Sequence, residues 1–296
     1  MNKKKFFVSI LFSFTIGIII TSICYYILYK NSIKNITAQI KTQNINTSEL
    51  GNESKLAFNW LEDSGEAEAL EFEAFNSATN YLNQISKKTT NKPKAIVLDI
   101  DETCLNNAPV EGYYIENNNG NFDYNAWCQW VNYAEATAIP GSVQFTQTAK
   151  KDGIQVFYVS GRSQNQLQST MKNMNNLGFA DATEPGHIIL YPSTQNGKQP
   201  TFDELEKNYD IVMFVGDQLT DMGGQFQNKT NAQEKQLVTQ CEKDWGSKYI
   251  IIPNPLYGNY VNAISNYKAV HPSEEITDIN SGIETFDPKT GKVYYS

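Results

Sequence analysis

The chain has 296 residues, of which 40% are hydrophobic and 19% are charged, and its formal net charge is −8 at pH 7. This length allows one large α/β domain with a buried core, or two small domains. The acidic balance excludes an extended nucleic-acid polymer as a partner, because phosphate backbones are bound by clustered Lys and Arg.

The N-terminal segment combines a basic cluster with a long apolar run. Three consecutive lysines precede the stretch from Phe6 to Tyr29, which carries no charged residue. Such a run is long enough to cross a bilayer. We therefore predict that residues 1–29 form a membrane anchor or signal segment, with the rest of the chain outside the cell membrane. An uncleaved anchor, a cleaved signal and a lipoprotein signal at Cys24 stay open as alternatives.

The next segment changes from polar to periodic. Residues 30–55 are rich in Asn, Thr, Ser and Lys without periodicity, which predicts a linker. From Trp60 to Ile85 apolar residues recur at helical spacing, which predicts one long amphipathic helix packed on the domain. The folded domain is therefore predicted over residues 56–296.

Two acids follow the first predicted strand. Ala95 to Leu98 is a short apolar run, typical of a strand buried on both faces of a parallel sheet. Asp99 and Asp101 come directly after it, at the sheet edge where side chains project into a crevice. Two carboxylates this close repel each other unless a cation or a shared proton relieves them. Mg²⁺ would do so and also binds phosphate, whereas an EF-hand loop is excluded because Cys104 stands where that loop needs Gly.

An aromatic insertion separates this strand from the next helix. Residues 106–139 hold a turn and seven rings, which predicts a helical and aromatic cap beside the site. Most of these rings are expected to fill the cap's own core, and one or two to touch a ligand. The rings are Tyr113, Tyr114, Phe122, Tyr124, Trp127, Trp130 and Tyr133.

A second buried strand is predicted over Ile154 to Val159, and it ends in Ser160, Gly161 and Arg162. Ser160 offers a hydroxyl to a phosphate oxygen. Arg162 is the only arginine in the chain. Its planar fork suits either an oxyanion or a structural ion pair, and both interpretations stay open.

Later strands repeat the pattern of polar residues at a strand end. Lys198 is a candidate point charge for phosphate, with a surface lysine as the alternative. Asp217 and Asp221 follow another buried run and again place two acids at a strand end. Three later strands are predicted, over residues 188–190, 211–215 and 249–252.

Five motifs, taken in this order, resemble the class C acid phosphatases of the haloacid dehalogenase superfamily. They are DIDETCLNNAP, WCQWV with AIPGSVQF, FYVSGR, FVGDQLTDM and IIPNPLYGNY. The resemblance covers about residues 56–267 and implies a doubly wound, Rossmann-like parallel sheet with a cap. Members of that family are secreted or membrane-attached bacterial enzymes, and many act as 5′-nucleotidases. The resemblance implies the same location and activity for this chain.

The resemblance also implies roles for individual residues. Asp99 is expected to be the nucleophile that forms an aspartyl-phosphate, and Asp101 the general acid and then the base. Magnesium is expected on Asp99, the Asp101 carbonyl and Asp217, with Asp221 in support. Trp127 and Tyr257 match the aromatic positions that flank a nucleoside. The residues expected to contact the substrate are Thr103, Trp127, Ser160, Gly161, Arg162, Lys198 and Tyr257.

We therefore expect an extracytoplasmic, magnesium-dependent acid phosphatase that hydrolyses phosphomonoesters, including nucleoside 5′-monophosphates. Its partners would be a small-molecule substrate and, through the N-terminal segment, the membrane, and a homodimer is left open. Two alternatives remain at this point. One is a phosphotransferase of the same fold, and the other is a non-catalytic surface protein that binds a ligand.

Overall fold

The computed structural model describes residues 26–34, 51–192, 194–268 and 272–295. The chain divides into two compact units, Met1–Ser48 and Glu49–Ser296. In the first unit residues 26–34 are helical. The predicted anchor falls mostly on residues 1–25, which lie outside the described residues. Within the described ranges no helix is both long and apolar enough to cross a membrane.

A five-stranded parallel sheet forms the centre of the second unit. Its strand order is β5-β4-β1-β6-β7, so the chain winds outward in both directions from β1. This confirms the predicted doubly wound α/β fold. The strands are β1 Lys94–Leu98, β2 Leu105–Asn106, β3 Thr137–Ala138, β4 Gln155–Ser160, β5 Ile188–Leu190, β6 Asp210–Gly216 and β7 Tyr249–Ile251, with β2 and β3 outside the main sheet.

Helices cover both faces of this sheet. They are α1 Gly65–Ile85, α2 Ala108–Asn117, α3 Tyr124–Tyr133, α4 Ser142–Lys151, α5 Leu167–Leu177, α6 Gln199–Glu206, α7 Asn231–Gln240, α8 Asn259–Ile264 and α9 Pro272–Ser281. Ile96 and Leu98 of β1 pack with the cluster that holds α1, α4 and α5. Ala95 and Val97 pack into the opposite cluster, to which α6 belongs. Since both faces of β1 are buried, its sequence is apolar without alternation.

The predicted helix over 60–85 is wrong at one point, because it is interrupted at Ser64. Residues 51–63 are helical, and α1 begins anew at Gly65. The Ser64 hydroxyl accepts a hydrogen bond from the Ala67 amide at 3.1 Å, and so caps α1. A capping serine satisfies an amide that the helix itself leaves unpaired. The apolar spacing continues across this break, so periodicity alone does not reveal it.

The insertion 106–139 folds into two helices above a short antiparallel ribbon. Strands β2 and β3 pair at its base, and α2 and α3 form its body. The helix over residues 51–63 lies against it: Phe58 packs on Gly112, and Lys55 forms an ion pair with Glu116 at 3.2 Å. Part of the predicted linker, residues 51–55, is therefore helical and touches the cap.

The C-terminal end adds a small hairpin. Strands β8 Glu284–Phe286 and β9 Val293–Tyr295 pair antiparallel around the turn at Asp287. The amides of Thr290 and Gly291 donate hydrogen bonds to the Asp287 carbonyl and close that turn.

Candidate active site

The polar ends of the central strands converge at one edge of the sheet. β1 lies between β4 and β6, so Asp99, Ser160 and Asp217 follow neighbouring strands. This is the point where the strand order reverses and where open α/β sheets bind ligands. A cavity of about 680 Å³ opens there. Asp99, Ser160 and Lys198 are among its lining residues.

Asp99 lies at the base of this cavity and contacts Lys198. Its side chain is only 10% exposed and forms an ion pair with the Lys198 ammonium. Burial raises the pKa of Asp99 well above its ordinary value, Lys198 opposes that rise, and Asp221 adds to it. Lys198 also lies 2.8 Å from an Asp221 oxygen. Burial alone would lower the pKa of Lys198, but the two carboxylates outweigh it and raise that pKa.

Three carboxylates form a cluster that suits a divalent cation. Oxygens of Asp99, Asp217 and Asp221 lie within 4.8 Å of one another. Burial, followed by repulsion from Asp221, raises the pKa of Asp217 to about 7. A hard divalent cation would relieve the repulsion between these carboxylates. Mg²⁺ is such a cation, and it prefers oxygen ligands. The donor set therefore fits the metal that the sequence predicts.

Neighbouring residues hold the two later acids in place. Asp217 accepts hydrogen bonds from the Thr103 hydroxyl at 3.2 Å and from the Asn254 amide at 2.9 Å. Asp221 accepts one from the Gln218 backbone amide at 2.9 Å. A Cβ atom on Gly216 would lie 2.2 Å from an Asp221 oxygen, so glycine is required where Asp221 folds back against the strand.

Asp101 is held apart from this cluster by Arg162. The Arg162 Nη2 atom lies 2.6 Å from Asp101 Oδ1, and Nε donates to the same oxygen at 3.0 Å. The Ser160 hydroxyl and the Asn107 amide also donate to Asp101, at 3.3 Å and 2.9 Å. Arg162 is 4% exposed, and its Nη1 donates to Thr170. Of the two interpretations of Arg162, the structure shows a buried ion pair, and phosphate binding stays a prediction.

Two aromatic residues reach the cavity from distant segments. Trp127 of α3 and Tyr257 of the loop after β7 both line it. The Arg162 guanidinium lies 5.4 Å from the centre of the Trp127 ring. The Tyr257 hydroxyl donates a hydrogen bond to Glu102, which ties this loop to the segment after β1.

Of the two remaining predicted substrate contacts, one lines the cavity and the other does not. Gly161 lines the cavity beside Ser160. Thr103 is fully buried, and its hydroxyl contacts Asp217 rather than the cavity. The predicted magnesium contact of Asp101 is its backbone carbonyl, and the position of its side chain leaves that prediction untested.

Three polar residues of this site are absent from the sequence prediction. Asn254 orients Asp217, and a polar residue after the last strand of the sheet is the signal that could have identified it. Asn107 bridges Asp101 and the Trp130 indole, whose Nε1 donates to it at 2.8 Å. Glu102 is 4% exposed and has a positive φ of 53°, uncommon outside glycine. Asn107 and Glu102 both lie within the motif DIDETCLNNAP, but nothing in that motif alone assigns a contact to either of them.

The family comparison identifies one model over most of the chain. Residues 26–260 match the model described as HAD superfamily, subfamily IIIB (Acid phosphatase). The fold is similar to the class C acid phosphatase of Bacillus anthracis, with a TM-score of 0.76 and 34% sequence identity over 80% of this chain and 99% of that one. The same enzyme with tungstate bound matches with a TM-score of 0.76 and 33% identity, over 80% of this chain and 99% of that one.

Curated plant relatives match over shorter stretches. Acid phosphatase 1 of Solanum lycopersicum is 33% identical over 137 residues, which is 43% of this chain and 51% of that protein. The chain therefore spans about half the length of this relative. A stem 31 kDa glycoprotein of Glycine max is 24% identical over 198 residues, 62% of this chain and 69% of that protein.

Proposed function

Because the chain belongs to the acid phosphatases of HAD subfamily IIIB, we propose that it hydrolyses phosphomonoesters with Asp99 as the nucleophile. The observation that carries this proposal is the buried Asp99 carboxylate, paired with Lys198 at the base of the cavity. The Bacillus anthracis relative is known with tungstate bound, and tungstate is tetrahedral like phosphate, which supports a phosphate ester as the substrate class.

Two steps follow from the arrangement of Asp99 and Asp101. An Asp99 oxygen attacks phosphorus, the bond to the leaving oxygen breaks, and Asp101 gives that oxygen a proton. Asp101 then takes a proton from water, which attacks phosphorus, releases phosphate and restores the Asp99 carboxylate. A covalent intermediate divides the reaction into two easier steps, and one proton carrier serves both. Arg162 and Asn107 hold Asp101 for this role.

The cation proposed for the cluster is Mg²⁺, held by Asp99, Asp217 and Asp221 with the Asp101 carbonyl. When bound it would neutralise charge on the phosphoryl group and favour in-line geometry. Lys198 contributes a second positive charge beside Asp99. Ser160 and Gly161 offer a hydroxyl and a close backbone at the end of β4.

Nucleoside 5′-monophosphates are the proposed substrates. Trp127 and Tyr257 line the same cavity from separate segments, so a base could stack between their rings. Stacking is tolerant of base identity, because every base has a flat face.

We place this activity outside the cytoplasm, attached to the membrane through residues 1–29 and the segment between them and residue 51. The Glycine max relative is named as a glycoprotein, and N-linked glycosylation is typical of secreted proteins.

The test is hydrolysis of p-nitrophenyl phosphate by the wild type and by Asp99→Asn. We expect wild-type hydrolysis that EDTA removes and Mg²⁺ restores, and no turnover by Asp99→Asn. Asp203→Asn, an exposed change on α6, is the matched control and should keep full activity. Circular dichroism would check that each variant is folded. Turnover by Asp99→Asn above a tenth of the wild-type rate would contradict the aspartyl-phosphate mechanism, and full activity in EDTA would contradict the metal.

A further inference from the structure

The charged residues that line the cavity include one acid that the proposed mechanism does not use. Lys198 is paired with Asp99 and Asp221, and Arg162 with Asp101. The remaining charged lining residue is Glu111. None of the ion pairs among the described residues includes it. The cavity therefore presents one carboxylate beyond those that handle the phosphoryl group.

Glu111 lies on the cap side of the cavity. It is in the first turn of α2, and its side chain is partly buried. Burial, with repulsion from Asp101 second, raises the pKa of Glu111 to about 7. A carboxylate in such surroundings gains from a positive charge placed beside it, because that charge offsets both burial and repulsion.

Aromatic rings line the same cavity as Glu111. Tyr114 lies three residues further along α2, and its pKa is raised by burial first and then by Glu111. Phe122, Trp127 and Tyr257 also line the cavity. Aromatic faces attract ammonium groups, and Trp127 already holds the Arg162 guanidinium over its ring. A carboxylate among aromatic rings is the chemistry that recognises an organic cation.

We propose that the cavity favours phosphomonoesters whose leaving alcohol carries an ammonium group, with Glu111 as the specificity-determining residue for that group. This inference rests on the proposed function, because it needs the phosphoryl group bound above Asp99. Neutral leaving groups still stack on the rings, but they gain nothing from the carboxylate. Leaving groups that carry a second negative charge are disfavoured by it.

The test compares phosphocholine with 3,3-dimethylbutyl phosphate, an uncharged compound of nearly the same shape. Well above pH 7, where Glu111 is largely ionised, we expect the wild type to show about tenfold higher kcat/KM for phosphocholine. In Glu111→Gln this ratio should fall toward one, because only the attraction of the aromatic rings for the ammonium group remains. Glu116→Gln, an exposed change on the same helix, is the matched control and should keep the wild-type ratio.

The outcomes separate this inference from the proposed function. If the wild type hydrolyses p-nitrophenyl phosphate but treats the two test compounds alike, the preference for ammonium groups is wrong and the phosphatase remains. If the wild type prefers phosphocholine and Glu111→Gln keeps that preference, the assignment of the preference to Glu111 is wrong, and the phosphatase again remains. If the wild type hydrolyses none of the three compounds, the proposed function falls and this inference with it. The wild-type comparison needs no variant, so a poorly folded Glu111→Gln would not decide the result.

Discussion

The Arg162 guanidinium holds the Asp101 carboxylate from two nitrogens, with Nη2 2.6 Å and Nε 3.0 Å from the same oxygen. Both side chains are largely withdrawn from solvent, at 2% and 17% exposure. A planar fork fixes the direction of a carboxylate in a way that a single ammonium does not. Arg162 therefore orients Asp101, the proposed proton carrier, through this direct contact.

Arg162→Lys should keep the positive charge but lose the contact from two nitrogens that orients Asp101. We expect kcat for p-nitrophenyl phosphate to fall by about a hundredfold, as for other small displacements of a reacting group, with a smaller change in KM. Steady-state kinetics would measure both. Thr170→Val removes only the hydrogen bond to Arg162 Nη1 and should cost much less. An Arg162→Lys enzyme with unchanged kcat would show that Asp101 does not depend on the fork.

Lys198 is the positive charge that faces Asp99 and Asp221. Lys198→Met should therefore lower the free energy of unfolding in EDTA by about 3–5 kcal/mol, because it leaves buried carboxylates without a partner. Mg²⁺ should then raise the melting temperature more in this variant than in the wild type. Thermal unfolding with EDTA or with Mg²⁺ would measure the difference.

Lys207→Met is the control for this experiment. Its ion pair with Glu204 is exposed on both sides, so its loss should change stability little. An equal response to Mg²⁺ in the wild type and in Lys198→Met would mean that lysine and cation do not share the same carboxylates.

Trp127 lines the cavity from α3, and stacking on its ring is proposed for the base of a nucleotide. Trp127→Ala should raise KM for AMP by roughly ten- to a hundredfold, because stacking contributes about 1–3 kcal/mol per base. Hydrolysis of p-nitrophenyl phosphate should change much less. Tyr133→Ala, which removes a ring that is 62% exposed on the same helix, is the control. Equal losses with both substrates would make Trp127 a structural residue of the cap.

Glu71 of α1 is buried, and burial followed by repulsion from Glu62 and Glu68 raises its pKa from 4.5 to about 7. Between these two values the folded chain holds a proton that the unfolded chain has lost, so stability falls as pH rises. Above about 7 the full cost of the buried charge is present. Glu71→Gln should therefore be more stable than the wild type by about 1–3 kcal/mol above that pH and by almost nothing below pH 4.5.

Denaturant unfolding at several pH values would measure this difference. Glu73→Gln changes an exposed acid of the same helix and should show no such dependence. A stability gain for Glu71→Gln that is the same at all pH values would contradict the pKa argument, since only packing could then explain it.

The sequence predicted the sheet and its acids for a definite physical reason. A strand covered on both faces has to be apolar, as in β1, and the carboxyl ends of parallel strands share one edge. Asp99, Asp217 and Asp221 could therefore be grouped before any coordinates were known, and the structure brings them together. The helix break at Ser64 could not be predicted from periodicity, since a cap changes hydrogen bonding without changing the apolar pattern.

Contacts between distant segments could not be predicted from the sequence, for another reason. Asn254 meets Asp217, and Tyr257 meets Glu102, only because β7 lies beside β6 in the finished sheet. Glu111 lies on α2, within the insertion whose ends are joined by the pairing of β2 with β3. Residue type says what such side chains can bind, and only the packed fold says which of them meet.

The loop after β7 also determines how much of the chain must be synthesised before the candidate active site is complete. A chain is made from its N terminus, so Asp99 leaves the ribosome long before Asn254 and Tyr257. The two neighbours of β1 are formed by residues 155–160 and 210–216, which are also synthesised before Asn254. A chain that stops short of residue 254 carries Asp99 but not the groups that orient Asp217 and Glu102. The candidate active site is therefore complete only once residues 254–257 have been made and have joined the fold.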